Sequence, residues 1–376
     1  MRIKPFIITI ILLTPLILLP IGSVAQGLKF TNETAYLSEV LTHTSENEGQ
    51  EAHFIGWLLN TTALNLGEKH SLNLGVMVTH GGYPSANIVG DLQTFSNLEA
   101  GTLYGFNEIY YEFKNKGFWL KLGQQDLNTD FFVSENALLF AHSSFGIDPV
   151  ATIGMPAPTY PVTAISMTAS IDIGNHLKFK AGVFDGQFAD IKNNFLPINW
   201  KLNKDEGMLY IVEPEFKFLG GKLVQKIGFF HHSGLFINRE TQNLSRGLSS
   251  FYLVSDFQFF EKGTKTANLF LQFDKSTKSV SDLNYYYGFG FQLTNYIKGK
   301  PNQIGLAIGH AELNDEFVSV RVEYNLTNET IIELNYKQEF TPWLSVQPYF
   351  QWIGINEITN SQKNPFIIAL RAYIQF

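Results

Sequence analysis

Glu213 and Glu215 stand two residues apart in Met208–Phe218, and on an extended chain that spacing puts both carboxylates on one face. Paired carboxylates are what general acid–base chemistry needs, and a polar channel wall carries the same pairs without any catalysis. His231 and His232 are the best candidate metal ligands. Adjacent residues of a strand point to opposite faces, so the two cannot readily share an ion. Other chemistry lacks its residues. There is no G-x-S-x-G, no H-E-x-x-H and no phosphate-binding loop, and Gly288-Phe289-Gly290 lacks the rest of a dinucleotide fingerprint. The chain has no cysteine, which excludes disulfides, thiolate nucleophiles and Cys-ligated metals. Neither a catalytic set nor a cofactor or metal is expected.

The polar residues that do recur are spaced by two. Glu108, Tyr110 and Glu112 form one such series, Trp119 and Lys121 another, and Lys178 and Lys180 a third. Glu213, Glu215 and Lys217 follow, then Gln272 and Asp274, and then Glu333, Asn335, Lys337 and Glu339. Gln347, Tyr349 and Gln351 precede the last series, Arg371 and Tyr373. Each alternates with apolar residues, the signature of strands with one polar and one apolar face. The end of the chain is the clearest case. Phe366, Ile368, Leu370, Ala372, Ile374 and Phe376 share one face, and Arg371, Tyr373 and Gln375 lie on the other. That apolar face is as long as a tilted bilayer crossing needs, about 9–11 residues, and it ends on aromatics as interfacial girdles do. The expected fold is all-β, an antiparallel transmembrane β-barrel.

The remaining strands follow from the same pattern. They are Thr34–Thr42, Ala52–Leu66, Ser71–His80, Leu103–Phe113, Phe118–Gln124, Val162–Asp172, Leu177–Asp185, Met208–Phe218, Lys222–His232, Leu248–Phe260, Thr266–Asp274, Tyr285–Tyr296, Gln303–His310, Thr330–Phe340 and a strand from Leu344 to Trp352. The count is about 16, even as single-chain bacterial barrels require. Short turns rich in Gly, Asn and Lys alternate with long connections, which read as periplasmic and extracellular respectively. The same parity places Phe317–Tyr324 in an extracellular loop. The longest connection, Gln125–Pro161, is expected to fold into the lumen, pinned by Phe131, Phe132, Phe140 and Phe145.

Met1–Ala25 reads as a secretory signal. Arg2 and Lys4 precede an apolar run, Pro20 and Gly22 break it, and Ser23-Val24-Ala25 is a small-residue cleavage site. Residues 26–376 are expected to form one barrel domain, with 26–33 a short periplasmic segment at its start. Cleavage leaves 25 basic against 34 acidic side chains, a net charge of −9. With no basic cluster, nucleic acid is not a partner. The expected surroundings are outer-membrane lipid, with Phe376 as the terminal signal read by the barrel assembly machinery. Monomer and trimer both remain open.

Several motifs resemble the carbohydrate-selective porins of the OprB type. They are Gly123-Gln124-Gln125-Asp126-Leu127-Asn128-Thr129-Asp130-Phe131, Asn136-Ala137-Leu138-Leu139-Phe140, Ser143-Ser144-Phe145-Gly146 and Tyr160-Pro161. Near the end, Glu333-Leu334-Asn335-Tyr336, Gln347-Pro348-Tyr349-Phe350-Gln351-Trp352 and Asn364-Pro365 add to the likeness. The resemblance implies a 16-stranded outer-membrane channel passing sugars by diffusion. One departure is that the 125–161 loop contains no Arg, where an Arg-rich constriction is expected. The alternative is a general or differently selective channel.

Candidate constriction residues follow from the loop and the wall facing it. From the loop they are Gln125, Asp126, Asn128, Asp130, Glu135, Asn136 and Ser144. From the wall they are Glu108, Trp119, Lys121, Lys178, Lys180, Tyr349 and Arg371. Charged and amide groups hydrogen-bond hydroxyls, and aromatic rings cover the apolar face of a pyranose.

Overall fold

The computed structural model describes residues 28–44, 52–155, 157–187, 200, 202, 206–238, 240–277, 280–314, 326–357 and 362–376. The expected signal Met1–Ala25 and the segment Phe317–Tyr324 lie outside the described residues.

The alternating segments form β1 (Leu28–Thr44), β2 (His53–Leu66), β3 (His70–His80), β4 (Tyr104–Asn115), β5 (Phe118–Gln125), β6 (Ala164–Ile173), β7 (Leu177–Asp185) and β8 (Met208–Phe218). They continue as β9 (Leu223–Ile237), β10 (Leu244–Lys262), β11 (Lys265–Ser276), β12 (Leu283–Thr294), β13 (Asn302–Leu313), β14 (Leu326–Thr341), β15 (Leu344–Glu357) and β17 (Phe366–Gln375). The short β16 (Gln362–Lys363) only extends the ladder on β15. Each wall strand pairs antiparallel with its sequence neighbours, and β1 pairs with β17 from Ala35↔Gln375 to Thr44↔Phe366. The result is a closed 16-stranded antiparallel barrel. Closure leaves no free edge, which is what a strand in hydrocarbon requires.

Several boundaries differ from the sequence expectation, and two of them change the wall. β1 starts at Leu28 rather than Thr34, because Leu28–Thr34 pairs with β2 even though β17 ends beside Thr34. Residues 28–33, expected as a loose lead-in, therefore belong to the wall. β9 and β10 also run further than their apolar pattern, pairing up to Leu244↔Ile237, so the loop between them shrinks to 238–243.

The outer face carries exposed apolar side chains such as Met167, Phe289, Leu334 and Leu370. Inside, two connections fold into the barrel rather than one. The connection after β5 crosses the lumen, bonding to wall residues from Glu108 of β4 to Gln347 of β15, and its Phe131, Phe132, Phe140 and Phe145 are each at most 1% exposed. Phe132 stacks on Tyr252 of β10 with centroids 3.8 Å apart, and Phe140 and Phe145 meet Phe270 of β11. Burying each such ring stabilises the infolded loop by about 1.5–3 kcal/mol. Residues 81–103 form the second inward connection, with Phe95 fully buried against the same cluster.

Candidate functional site

An infolded loop has backbone N–H and C=O groups that strands cannot pair, and a buried unpaired group is costly. The lumen face of the wall supplies the partners. Glu333 accepts from the N–H groups of Ala141 and His142 at 2.8 and 2.9 Å. Glu329 accepts from Leu92 N–H at 2.7 Å and Gln93 N–H at 3.0 Å. Asp256 accepts from the N–H groups of Glu135 and Asn136 and from the Ser134 hydroxyl. Wall amides serve the carbonyls. Gln272 Nε2 donates to Phe145 O at 3.0 Å, Gln347 Nε2 to Leu139 O at 2.7 Å and Gln351 Nε2 to Phe95 O at 2.9 Å. Much of the polar wall thus holds loop backbone in place.

The basic wall groups are paired as well. Lys121 Nζ lies 2.8 Å from both carboxylate oxygens of Asp130 and over the rings of Trp119 and Tyr110. Lys180 pairs with Glu213 and donates to Asp130 O at 2.6 Å. Arg371 binds Glu39 through Nε and Nη2, each 2.8 Å from Oε2, and Tyr349 Oη donates to the other oxygen of Glu39 at 2.6 Å.

Between the loops and the β1, β2, β4 and β17 walls lies a cavity of about 570 Å³. Its lining includes the apolar Leu37, Leu59, Trp57 and Tyr160, the last two rings meeting edge-to-face at 5.6 Å. Interspersed with them are polar groups, Glu99, Glu108, Asp126, Asn128, Arg371 and Tyr373, the last directly across from Leu37 in the β1–β17 ladder. Glu108 also lines the neighbouring space beside Thr31, Glu33 and Asn73, so it stands between the two.

Of the residues named from sequence, Glu108, Asp126, Asn128, Ser144 and Arg371 meet at this cavity. Asp126 and Asn128 also brace the loop. Asp126 accepts from Asn128 N–H at 2.8 Å and from Tyr160 N–H at 3.0 Å, tying the loop's start to its end. Burial pushes the Asp126 carboxyl up to about 6. Asn128 Nδ2 donates to the carbonyls of Phe131 and Gly146. Gln125 is fixed to Ser166 and Thr168 of the wall, and Ser144 Oγ donates to Gln93. Glu135 is exposed, and Asn136 Nδ2 donates to Leu269 O. Trp119 and Lys178 sit apart, lining a recess with the turn residues Glu68 and Lys116, and Lys178 faces Asp172 at 3.8 Å.

Sequence reasoning missed the second inward loop and its clamps, Gln93, Ser96, Glu329 and Glu39. Glu39 had a signal, as a charge on the lumen face of the expected strand Thr34–Thr42; Glu329 lay just outside the expected strand start at Thr330. His231 and His232 do point apart. His231 bonds Ser249, and His232 bonds Gly186 O at 3.1 Å.

Among the described residues, Asp91, His142 and Glu329 bring ligand-type atoms within 4.8 Å of one another. His142 Nδ1 accepts from Ser144 N–H at 3.3 Å, which puts the ring proton on Nε2. A metal needs that lone pair free and usually has the other ring nitrogen donating.

A model of the carbohydrate-selective porin, OprB family, matches residues 54–376. No curated protein matches the chain. Among solved structures, the chain is similar to the high-pH structure of Pseudomonas putida OprB, with a TM-score of 0.81 and 15% identity over 92% of this chain and 94% of that one. It is also similar to the outer membrane channel DcaP of Acinetobacter baumannii, with a TM-score of 0.59 and 10% identity over 94% and 99% of the two chains. An anion-selective porin from Comamonas acidovorans gives a TM-score of 0.58 and 10% identity over 93% and 100%. With a family model spanning most of its length and a closed 16-stranded barrel, the chain belongs to the OprB family of carbohydrate-selective porins and is an outer-membrane channel protein.

Proposed function

We propose that the channel passes neutral sugars by passive diffusion, with the cavity beside Glu108 as its selective passage. The observation that carries this reading is the mixed lining, aromatic and apolar side chains interspersed with hydrogen-bonding ones. Trp57 and Tyr160, with Leu37 and Leu59, offer apolar contact for a pyranose face, while Glu108, Asp126 and Asn128 offer acceptors and donors to its hydroxyls. The pairing of charges supports a neutral solute. Arg371 is paired with Glu39 and Lys121 with Asp130, so neither cation is left to attract an anion, and the carboxyl groups lining the passage are Glu99, Glu108 and Asp126. Passive diffusion needs no catalytic group, and the Glu213–Glu215 pair is occupied by Lys180, Lys217 and the loop.

The experiment is liposome swelling with purified protein. Neutral mono- and disaccharides should enter faster than charged solutes of equal size. Equal rates for both classes, or faster entry of anions, would replace this reading with a general or anion-preferring channel.

A further inference from the structure

A barrel wall meets lipid headgroups at its two rims, where aromatic side chains form girdles. At the short-turn rim, the one read as periplasmic, the ends of β10 to β14 and their turns carry Phe259, Phe260, Tyr296 and Phe340, each more than a third exposed. Phe260 lies opposite Ala267, which continues the outward series of Leu269 and Leu271. Phe340 continues the outward series of Ile332 and Leu334. This face looks to lipid.

Four exposed lysines stand among these rings. Lys262 and Lys265 are directly opposite each other across the β10–β11 turn, and Lys298 and Lys300 lie on the β12–β13 turn. Like charges placed opposite each other in a ladder are destabilising. The carboxylates in these strand ends do not offset them. Glu261 pairs with Lys222 at 3.4 Å, and Glu339 shares the lumen-facing series of Glu333 and Asn335. Among the described residues, none of the four lysines pairs with a carboxylate.

The two turns are held as one surface. Asn295 Nδ2 donates to Thr264 O at 2.9 Å, and Lys265 Nζ lies 5.4 Å from the centre of the Tyr296 ring. Asn302 Nδ2 closes the second turn on the carbonyls of Ile297 and Lys300, at 2.8 and 2.9 Å. Lys300 Nζ lies 5.6 Å from the centre of the Phe340 ring and donates to Phe340 O. The lysines therefore stand on a braced surface rather than a loose loop.

We propose that this corner of the barrel binds the phosphate groups of an anionic phospholipid, phosphatidylglycerol or cardiolipin, in the adjoining leaflet. Ammonium groups at a membrane surface attract anionic headgroups, and a lysine stem lies along apolar surface while its head reaches the phosphates. A pair of lysines on each turn suits a lipid with two phosphates. Phosphatidylethanolamine brings its own ammonium and finds no free carboxylate on this face, so it is the weaker ligand. The inference does not depend on which solute passes.

The test uses purified protein in an uncharged detergent. Cardiolipin, phosphatidylglycerol or phosphatidylethanolamine is added, and the retained lipid is read by native mass spectrometry. The parent should hold the two anionic lipids and shed phosphatidylethanolamine. Lys262→Gln combined with Lys265→Gln should weaken cardiolipin retention on the order of tenfold or more. Lys29→Gln combined with Lys69→Gln makes the same charge change at the start of β1 and on the β2–β3 turn, and should leave retention unchanged. The gel shift on boiling checks that each barrel is intact. Inorganic phosphate in excess should not displace the lipid. Equal retention of phosphatidylethanolamine, an undiminished cardiolipin adduct in K262Q/K265Q, an equal loss in K29Q/K69Q, or displacement by phosphate alone would overturn the proposal.

Discussion

Glu39 and Arg371 face each other across the seam where the first and last strands meet, with Arg371 Nη2 2.8 Å from Glu39 Oε2. Both are at most 2% exposed. Tyr349 and Ser96 bind the same pair, so one ion pair joins the seam, the neighbouring wall and the second inward loop. Removing one partner of a buried pair leaves the other charge uncompensated, at a cost of about 3–5 kcal/mol. Glu39→Gln and Arg371→Met should each lower the denaturation temperature of the folded barrel on gels. The double variant should lose clearly less than the two single losses combined. Additive losses would show that the two residues act separately.

The infolded loop predicts a conductance change. Replacing residues 129–157 by a short turn removes the Phe131, Phe132, Phe140 and Phe145 anchors and widens the lumen. Single-channel conductance should rise. Trimming residues 238–243, which only join the ends of β9 and β10, should leave it nearly unchanged. Equal effects of the two deletions would argue against a lumen-narrowing loop.

The chain end closes the ladder. Phe376 N–H donates to Thr34 O at 2.8 Å, and Thr34 N–H donates back at 3.3 Å. Deleting Phe376, or replacing it with a charged residue, should reduce outer-membrane levels while secretion across the inner membrane continues. Fractionation measures this, and normal levels in the outer membrane would contradict it.

The strand count was legible because alternation with period two is imposed by lipid on one side and water on the other, and Phe366–Phe376 shows both. The infolding of 125–161 was legible from its length and its four Phe residues. The loop 81–103 was not, because its anchoring is made by backbone groups to Glu329 and Gln351, and backbone leaves no mark in a sequence. For the same reason Glu213, Glu333 and Gln347 could be read as lumen-facing but not as loop clamps. Lys178 and Lys180 share a face and a residue type. Only their height along β7 separates the one that touches the loop from the one beside Asp172, and that depends on register with strands far away in sequence.

A neutral sugar crossing the channel is expected to occupy the cavity between Trp57, Tyr160 and Glu108. Single-channel recording with a neutral disaccharide added tests it most directly. The parent protein should show a saturable block of the ion current. Trp57→Ala removes one of the two apolar rings, and base-sized losses of aromatic contact run to about 0.5–1.5 kcal/mol, so the block should weaken several-fold. A current that falls only in proportion to solution viscosity, with no saturation and no difference between parent and W57A, would contradict it.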